Sequence, residues 1–346
     1  MKRVGINGLG RIGRLVLHHF IKNPSEDIEI VAANDLNSAE DLAYLLKFDS
    51  VHGVSPYDVG FGPESIELQK TRMKCDKIEL DRLNIKLFHE KDPSKIPWGK
   101  LDIDIILECT GAFRRRKDAA KHLGGSVSKV IISAPSKSAD LTVVLGVNED
   151  LYDSTKHDII SNASCTTNSL APAVKVLNDE FGIKHLLVTT VHAYTSSQAL
   201  VDKPIRKRRR GRAAAVSLIP TTTGAAKATE IVLPELKGKM DAMAIRAPVP
   251  DGAITDIVAE LEEDTDSALV NHAFKKAANG KMKGILRFSE DDLVSQDIIG
   301  DPHSGIIDAK STKVVDKTMA KVLVWYDNEA GYAKKLLELA EYISKK

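Results

Sequence analysis

The chain has 346 residues, 43% hydrophobic and 28% charged, with a net charge of +1, a profile that fits a globular protein long enough for two cored domains. The near-neutral balance excludes a global field that would draw it to nucleic acid or a membrane surface, and no apolar run of about 18 residues is present to span one. Cys75, Cys109 and Cys165 form neither a disulfide framework nor a metal-ligand spacing. With a chain that opens straight into a strand, this predicts a cytoplasmic protein without a secretory leader.

The first half alternates strand and helix patterns: strands at 4–7, 28–34, 101–108 and 130–133, helices at 11–22 and 117–123. That alternation predicts an α/β, Rossmann-type parallel sheet. Gly8-Leu9-Gly10-Arg11-Ile12-Gly13 lies between the first strand and helix. Its glycines permit a tight turn and let backbone N–H groups reach a pyrophosphate. Asp35 ends the next strand about 20 residues past Gly13, where a carboxylate takes ribose hydroxyls and repels a 2′-phosphate. This favours NAD over NADP.

Ser161-Asn162-Ala163-Ser164-Cys165-Thr166-Thr167-Asn168 precedes an apolar helical run (Leu170, Ala173, Val174, Val176, Leu177). Cys165 therefore falls in the first turn of a helix, where the dipole favours a thiolate. Alone, such a cysteine is as readily a small buried hydrophobe. The second half carries longer strands at 186–194, 240–248, 255–261 and 322–326, with helices near 225–229 and 267–279. It predicts an α+β domain on a mixed or antiparallel sheet. The expected division is 1–164, 165–327 and a C-terminal helix, 328–346, packing back on the first domain.

His192 sits in a strand, where a lone histidine is usually structural. It becomes a base only if folding brings it to Cys165. The other histidines read as surface. Residues 221–227, Thr-Thr-Thr-Gly-Ala-Ala-Lys, open a helix as a cap or an anion site. Arg246, inside an apolar strand, is either paired, bound to an anion or snorkelling at an edge. Arg206-Lys207-Arg208-Arg209-Arg210-Gly211-Arg212 lacks aromatic interleaving. It reads as a solvated loop or subunit contact, and nucleic acid is not expected as a partner.

Together these motifs resemble the phosphorylating glyceraldehyde-3-phosphate dehydrogenase family over essentially the whole length. The resemblance also includes residues 44–53, Thr110-Gly111-Ala112-Phe113, Ile132-Ser133-Ala134-Pro135, His192-Ala193-Tyr194-Thr195 and Trp325-Tyr326-Asp327-Asn328-Glu329. It implies that Cys165 attacks glyceraldehyde 3-phosphate, with His192 as acid/base. A Cys165 thiohemiacetal becomes a thioester, and inorganic phosphate releases 1,3-bisphosphoglycerate. By the same resemblance Gly8, Gly10, Arg11, Ile12, Gly13, Asp35, Lys91, Thr110, Ser133 and Asn328 would bind NAD. Thr195 and Arg246 would hold the substrate phosphate; Ser164, Thr166, Thr223, Gly224 and Arg210 would hold the attacking one. Pro204 matches a proline that blocks NADP, and a homotetramer is implied.

The chain also departs from the family pattern. Lys91 stands for an arginine, Ser169 for a second cysteine, and Ala330 for a bulky aromatic. Erythrose-4-phosphate dehydrogenase is the sister alternative, which the string at 222–227 opposes. An NADP-linked isoform is opposed by Asp35 and Pro204. An RNA- or partner-binding role for the basic loop is the remaining reading.

Overall fold

The computed structural model describes residues 1–68 and 71–346, with side chains outside 64–74. The chain forms two compact units: Met1–Val143, Asp150–Ala163 and Ala333–Lys346 make the first, Val144–Glu149 and Ser164–Tyr332 the second.

In the first unit, β1 (Lys2–Asn7), α1 (Arg11–Lys22) and β2 (Ile28–Asn34) form the opening βαβ. There follow α2 (Ala39–Lys47), a small ribbon of β3 (Phe48–Asp49) and β4 (Gly53–Val54), then β5 (Val59–Leu68), β6 (Thr71–Leu80) and β7 (Leu83–Phe88). The rest is β8 (Ile105–Glu108), α3 (Arg116–Ala119), β9 (Lys129–Ile132), β10 (Leu141–Thr142) and β11 (Ile159–Ser161). Nine strands form one sheet in the order β10-β11-β9-β8-β1-β2-β7-β6-β5. Pairing is parallel from β10 to β7 and antiparallel through β6 and β5. Val4, Ile6, Ile105, Ile106, Val130 and Ile131 are buried on both faces, as parallel strands require.

Two sequence expectations shift here. The strand read at 101–108 starts only at Ile105, because residues 98–101 form a 3₁₀ turn closed by left-handed Asp102 (φ 50°). The helix read at 117–123 is one α turn, α3, continued as a 3₁₀ turn to His122 and stopped before Gly124 and Gly125, both at positive φ.

The second unit holds α4 (Cys165–Phe181), β12 (Ile183–Ala193), β13 (Ile219–Thr222), α5 (Ala225–Val232), β14 (Met240–Ala247), β15 (Ala253–Leu261), α6 (Ser267–Asn279), β16 (Leu286–Ser289), β17 (Gly305–Val315) and β18 (Met319–Tyr326). The sheet runs β13-β14-β12-β15-β18-β17-β16, parallel at β12–β14 and β16–β17 and otherwise antiparallel. β14 stops at Ala247 because Pro248 has no N–H to give. Strands β12, β15 and β18 alternate buried and more exposed residues along their length. α4 packs against β12, β15, β17 and β18, α5 against β14, and α6 against β16 and β17. The last helix is α7 (Ala330–Ser344), and the chain from Ala333 to Lys346 belongs to the first unit.

Candidate active site

Cys165 is the first residue of α4. Ser164 caps the helix, its Oγ accepting from Thr167 N at 3.1 Å. The neighbouring β12 supplies His192, whose Nε2 lies 3.5 Å from Cys165 Sγ. His192 Nδ1 lies 2.7 Å from Ala193 O. With a proton on Nδ1, that carbonyl orients the ring and leaves the Nε2 lone pair facing the sulfur. Register pairs His192 with Arg246 on β14. Arg246 Nη1 donates to Ala193 O at 2.8 Å and stands 2.6 Å from His192 Nδ1, where a guanidinium, which only donates, competes with the Nδ1–H tautomer.

Burial in this corner works against the thiolate that a helix start favours. Burial pushes the Cys165 thiol up from its ordinary value, with Arg246 pulling the other way. Burial and then Arg246 drive His192 down to about 3. The resting pair is thus a neutral thiol beside a neutral imidazole, with the positive charge on Arg246. A single helix start does not offset the desolvation of a buried sulfur anion.

The expected phosphate residues fall into connected groups. Arg210 Nε donates to Thr221 Oγ1 at 3.0 Å, Nη2 to Thr222 O at 3.2 Å and Nη1 to Ser197 Oγ at 3.2 Å. Ser197 Oγ lies 2.8 Å from Thr195 Oγ1. Thr223 Oγ1 accepts from Ala225 N at 3.1 Å, and Gly224 caps α5 with open space where a Cβ would stand. Arg246 Nε is buried with no partner. Ser164 spends its hydroxyl on its cap, and Thr166 Oγ1 lies 2.9 Å from Tyr326 OH. Asn328, 7% exposed, keeps a buried Oδ1 with no partner, a polar atom that a ligand amide would satisfy.

In the first unit the glycine turn borders a cavity of about 520 Å³, lined among others by Gly8, Gly10, Asp35, Lys91 and Thr110. Its three glycines have three separate reasons. Gly8 has φ +98° and sits against the backbone of Thr110. A Cβ on Gly13 would lie 2.1 Å from Gly8 O. Gly10, the cap of α1, has nothing within 4 Å of its Cβ position, so the helix start stands open. Asp35 accepts from Leu9 N at 2.8 Å and from Asn37 N at 3.0 Å and Nδ2 at 2.8 Å. A carboxylate offers about four lone-pair sites, so one is left for a hydroxyl. Arg11 pairs with Asp49, and against its burial the His52 N–H first, then Arg11, hold that carboxyl down at about 2. Ile12 follows in the first turn, and Ser133 N donates to Glu108 O at 3.0 Å. An open helix start, a cradle a side chain would fill and an acceptor at the next strand end fit a dinucleotide.

Sequence reasoning missed several residues beside these. Glu108, 1% exposed, accepts from Asn7 Nδ2 at 2.6 Å, Thr110 N at 2.9 Å and the Thr110 hydroxyl. His122, read as surface, is 3% exposed, because α3 and its 3₁₀ extension turn it inward. Trp98 Nε1–H donates to His122 Nδ1 at 3.1 Å, so the ring carries its proton on Nε2 and gives it to Glu108 at 3.1 Å. In the second unit, Tyr326 OH bridges Thr166 and Thr190 Oγ1 (2.9 and 2.8 Å), with its ring edge-on to His192. Asp251, 2% exposed beside Asp327, is pushed up to about 9 by burial and by the Asp327 and Glu329 charges.

Residues 2–116 match the family model described as glyceraldehyde 3-phosphate dehydrogenase, NAD binding domain, and residues 164–328 match that of the C-terminal domain. The chain is 51% identical to glyceraldehyde-3-phosphate dehydrogenase of Geobacillus stearothermophilus, over 99% of this chain and 98% of the relative. It is 50% identical to glyceraldehyde-3-phosphate dehydrogenase 1 of Bacillus subtilis and 48% to the Mycobacterium avium enzyme, each over 99% of this chain and 98% of the relative.

Proposed function

The chain belongs to the glyceraldehyde-3-phosphate dehydrogenase family, and on that premise we propose that it oxidises glyceraldehyde 3-phosphate with NAD and inorganic phosphate to 1,3-bisphosphoglycerate. The observation that carries the reading is Cys165 Sγ at the start of α4, 3.5 Å from His192 Nε2 and close to the charge of Arg246.

Cys165 is the nucleophile. His192, a neutral base at physiological pH, takes the thiol proton as sulfur bonds to the aldehyde carbon. It returns that proton to the alkoxide oxygen to complete the thiohemiacetal, then takes it back as the carbon releases its hydride, leaving a thioester on Cys165. The Cys165 N–H at the helix start and the protonated His192 steady the oxyanion. NAD, when bound, supplies the hydride acceptor. Gly8, Gly10, Arg11, Ile12, Gly13, Asp35, Lys91, Thr110 and Ser133 would hold its adenosine and pyrophosphate portion, and Asn328 its carboxamide. Glu108 engages both the Thr110 hydroxyl and its N–H, so Thr110 would serve through its carbonyl and methyl group. Arg246 and Thr195 would seat the substrate phosphate. Ser164, Thr166, Thr223, Gly224 and Arg210 would seat the phosphate that attacks the thioester carbon and expels the thiolate.

We read the first unit as the NAD-binding domain, the second as the catalytic domain, and the protein as cytoplasmic and homotetrameric. Among the described residues no helix is long and apolar enough to cross a membrane. The deciding experiment follows NADH formation from glyceraldehyde 3-phosphate and NAD, with and without phosphate. Turnover should require phosphate and vanish in Cys165→Ser. Substantial turnover by that variant, or none by the wild type, would sink the reading.

A further inference from the structure

The basic run 206–212 is the one sequence motif that the proposed reaction leaves mostly unassigned, and its side chains sort into unlike groups. Arg212 Nε pairs with Asp202 at 2.7 Å. Lys207 and Arg210 stand at the two ends of one turn, closed by Arg210 N donating to Lys207 O at 2.8 Å. Both reach back to β13, Arg210 to Thr221 Oγ1 and Thr222 O, and Lys207 Nζ to Thr222 Oγ1 at 2.8 Å. β13 leads through Thr223 into the open start of α5.

The charges acting on Lys207 are all positive. Burial, then Arg210, Arg206 and Arg246, push its ammonium below its ordinary value. Cations gathered without a carboxylate, around hydroxyls and a helix start, form a site that an anion completes. An ammonium has three donors, and Thr222 takes one.

We infer that Lys207 is a further cation of the phosphate site, binding an oxygen of the attacking inorganic phosphate beside Arg210 at the start of α5. The inference deepens the phosphorylating reading and rests on it. The phosphate of the substrate has the same chemistry, so the two Michaelis constants separate the sources. In Lys207→Gln, KM for inorganic phosphate should rise about fivefold, the scale of one charged hydrogen bond lost from an exposed side chain. KM for glyceraldehyde 3-phosphate should move less than about twofold, and Lys207→Arg should restore most of the loss. Arg208→Gln, which removes the same charge from the same exposed run, should leave both constants near wild type. An unchanged phosphate KM in Lys207→Gln would overturn the assignment. So would an equal rise in Arg208→Gln, or a rise confined to the substrate. Calorimetric titration of wild type and Lys207→Gln with inorganic phosphate reads the site without turnover. Weaker binding by the variant supports the assignment, and equal binding ends it. Wild-type turnover without a phosphate requirement would instead sink the phosphorylating reading.

Discussion

Cys165 and His192 sit within hydrogen-bond reach, yet burial keeps both neutral, so the charge that makes the sulfur nucleophilic must come from elsewhere. Arg246 is the strongest influence pulling the Cys165 thiol down. Replacing it by leucine should therefore move the pH midpoint of Cys165 alkylation upward, by about one unit for a neighbouring charge. His192→Asn, which removes a neutral group, should move it less, and the reverse order would refute this assignment of charge. Asp251 makes a second test. Three backbone N–H groups, of Gly300, Glu329 and Ala330, donate to Asp327 at 2.7–2.8 Å, so the proton between the two carboxyls belongs to Asp251. Its folded value, about 9, lies above its ordinary 3.8. Between these values the folded chain holds a proton that the unfolded chain has lost, so stability falls as pH rises through the window. Asp251→Asn keeps a donor toward Asp327 without that cost. In denaturant titrations its gain over wild type should be small at pH 4 and grow by about 1.4 kcal/mol per pH unit above that, to about 5 kcal/mol at pH 8. A gain independent of pH would exclude the shared proton. Such residues were illegible in the sequence. Cys165 and His192 stood out because small, hydroxylated neighbours frame one and a strand holds the other. Asp251 and Glu108 look like ordinary polar residues at a turn and a strand end, and only packing makes them buried acids.

At the level of elements, the β1–α1–β2 unit was readable because one chemical reason fixes each piece: apolar strands, a glycine turn and an acidic strand end. The structure separates glycines that the motif treats alike. A methyl at Gly13 meets Gly8 O at 2.1 Å, whereas one at Gly10 meets nothing. Gly13→Ala should thus lose at least about 2 kcal/mol of stability, since backbone must move to relieve the overlap. Gly10→Ala should cost under about 1 kcal/mol, the scale of a weakened helix cap, yet bind NAD about tenfold more weakly by obstructing the open helix start. Calorimetry of both variants with NAD, beside their denaturant midpoints, checks the split. Equal stability losses would void it. The antiparallel extension β5–β6–β7 carries no such signal. Its charged alternation, as in Lys77, Glu79 and Lys86, resembles surface loop until cross-strand pairing is known. The stretch 117–123 misled for the opposite reason, since its composition suits a helix that two following glycines cut short.

On the scale of the whole molecule, the seven-stranded sheet has helices packed on one face only partly accounting for its apolar residues. The other alternation of β12 and its register partners presents Leu187 (68% exposed), Val191 (36%) and Met243 (44%), with half-buried Ile254, Val258, Leu323 and Trp325 on the strands alongside. The loops add Leu200, Val201, Val216 and Leu218, each at least 69% exposed. Monomers seldom leave so much of an apolar strand face in water, and such a face suits a permanent, self-complementary contact between copies. The homotetramer implied by family resemblance thus has a physical candidate for one of its interfaces. Leu187 and Val191 contribute little to their own unit's core, so Leu187→Glu/Val191→Glu should fold while placing like charges face to face across a twofold contact. Sedimentation should give a mass of four chains for wild type and a smaller assembly for the double variant. A wild-type monomer would refute the assembly, and a variant that remains tetrameric would move the contact off this sheet.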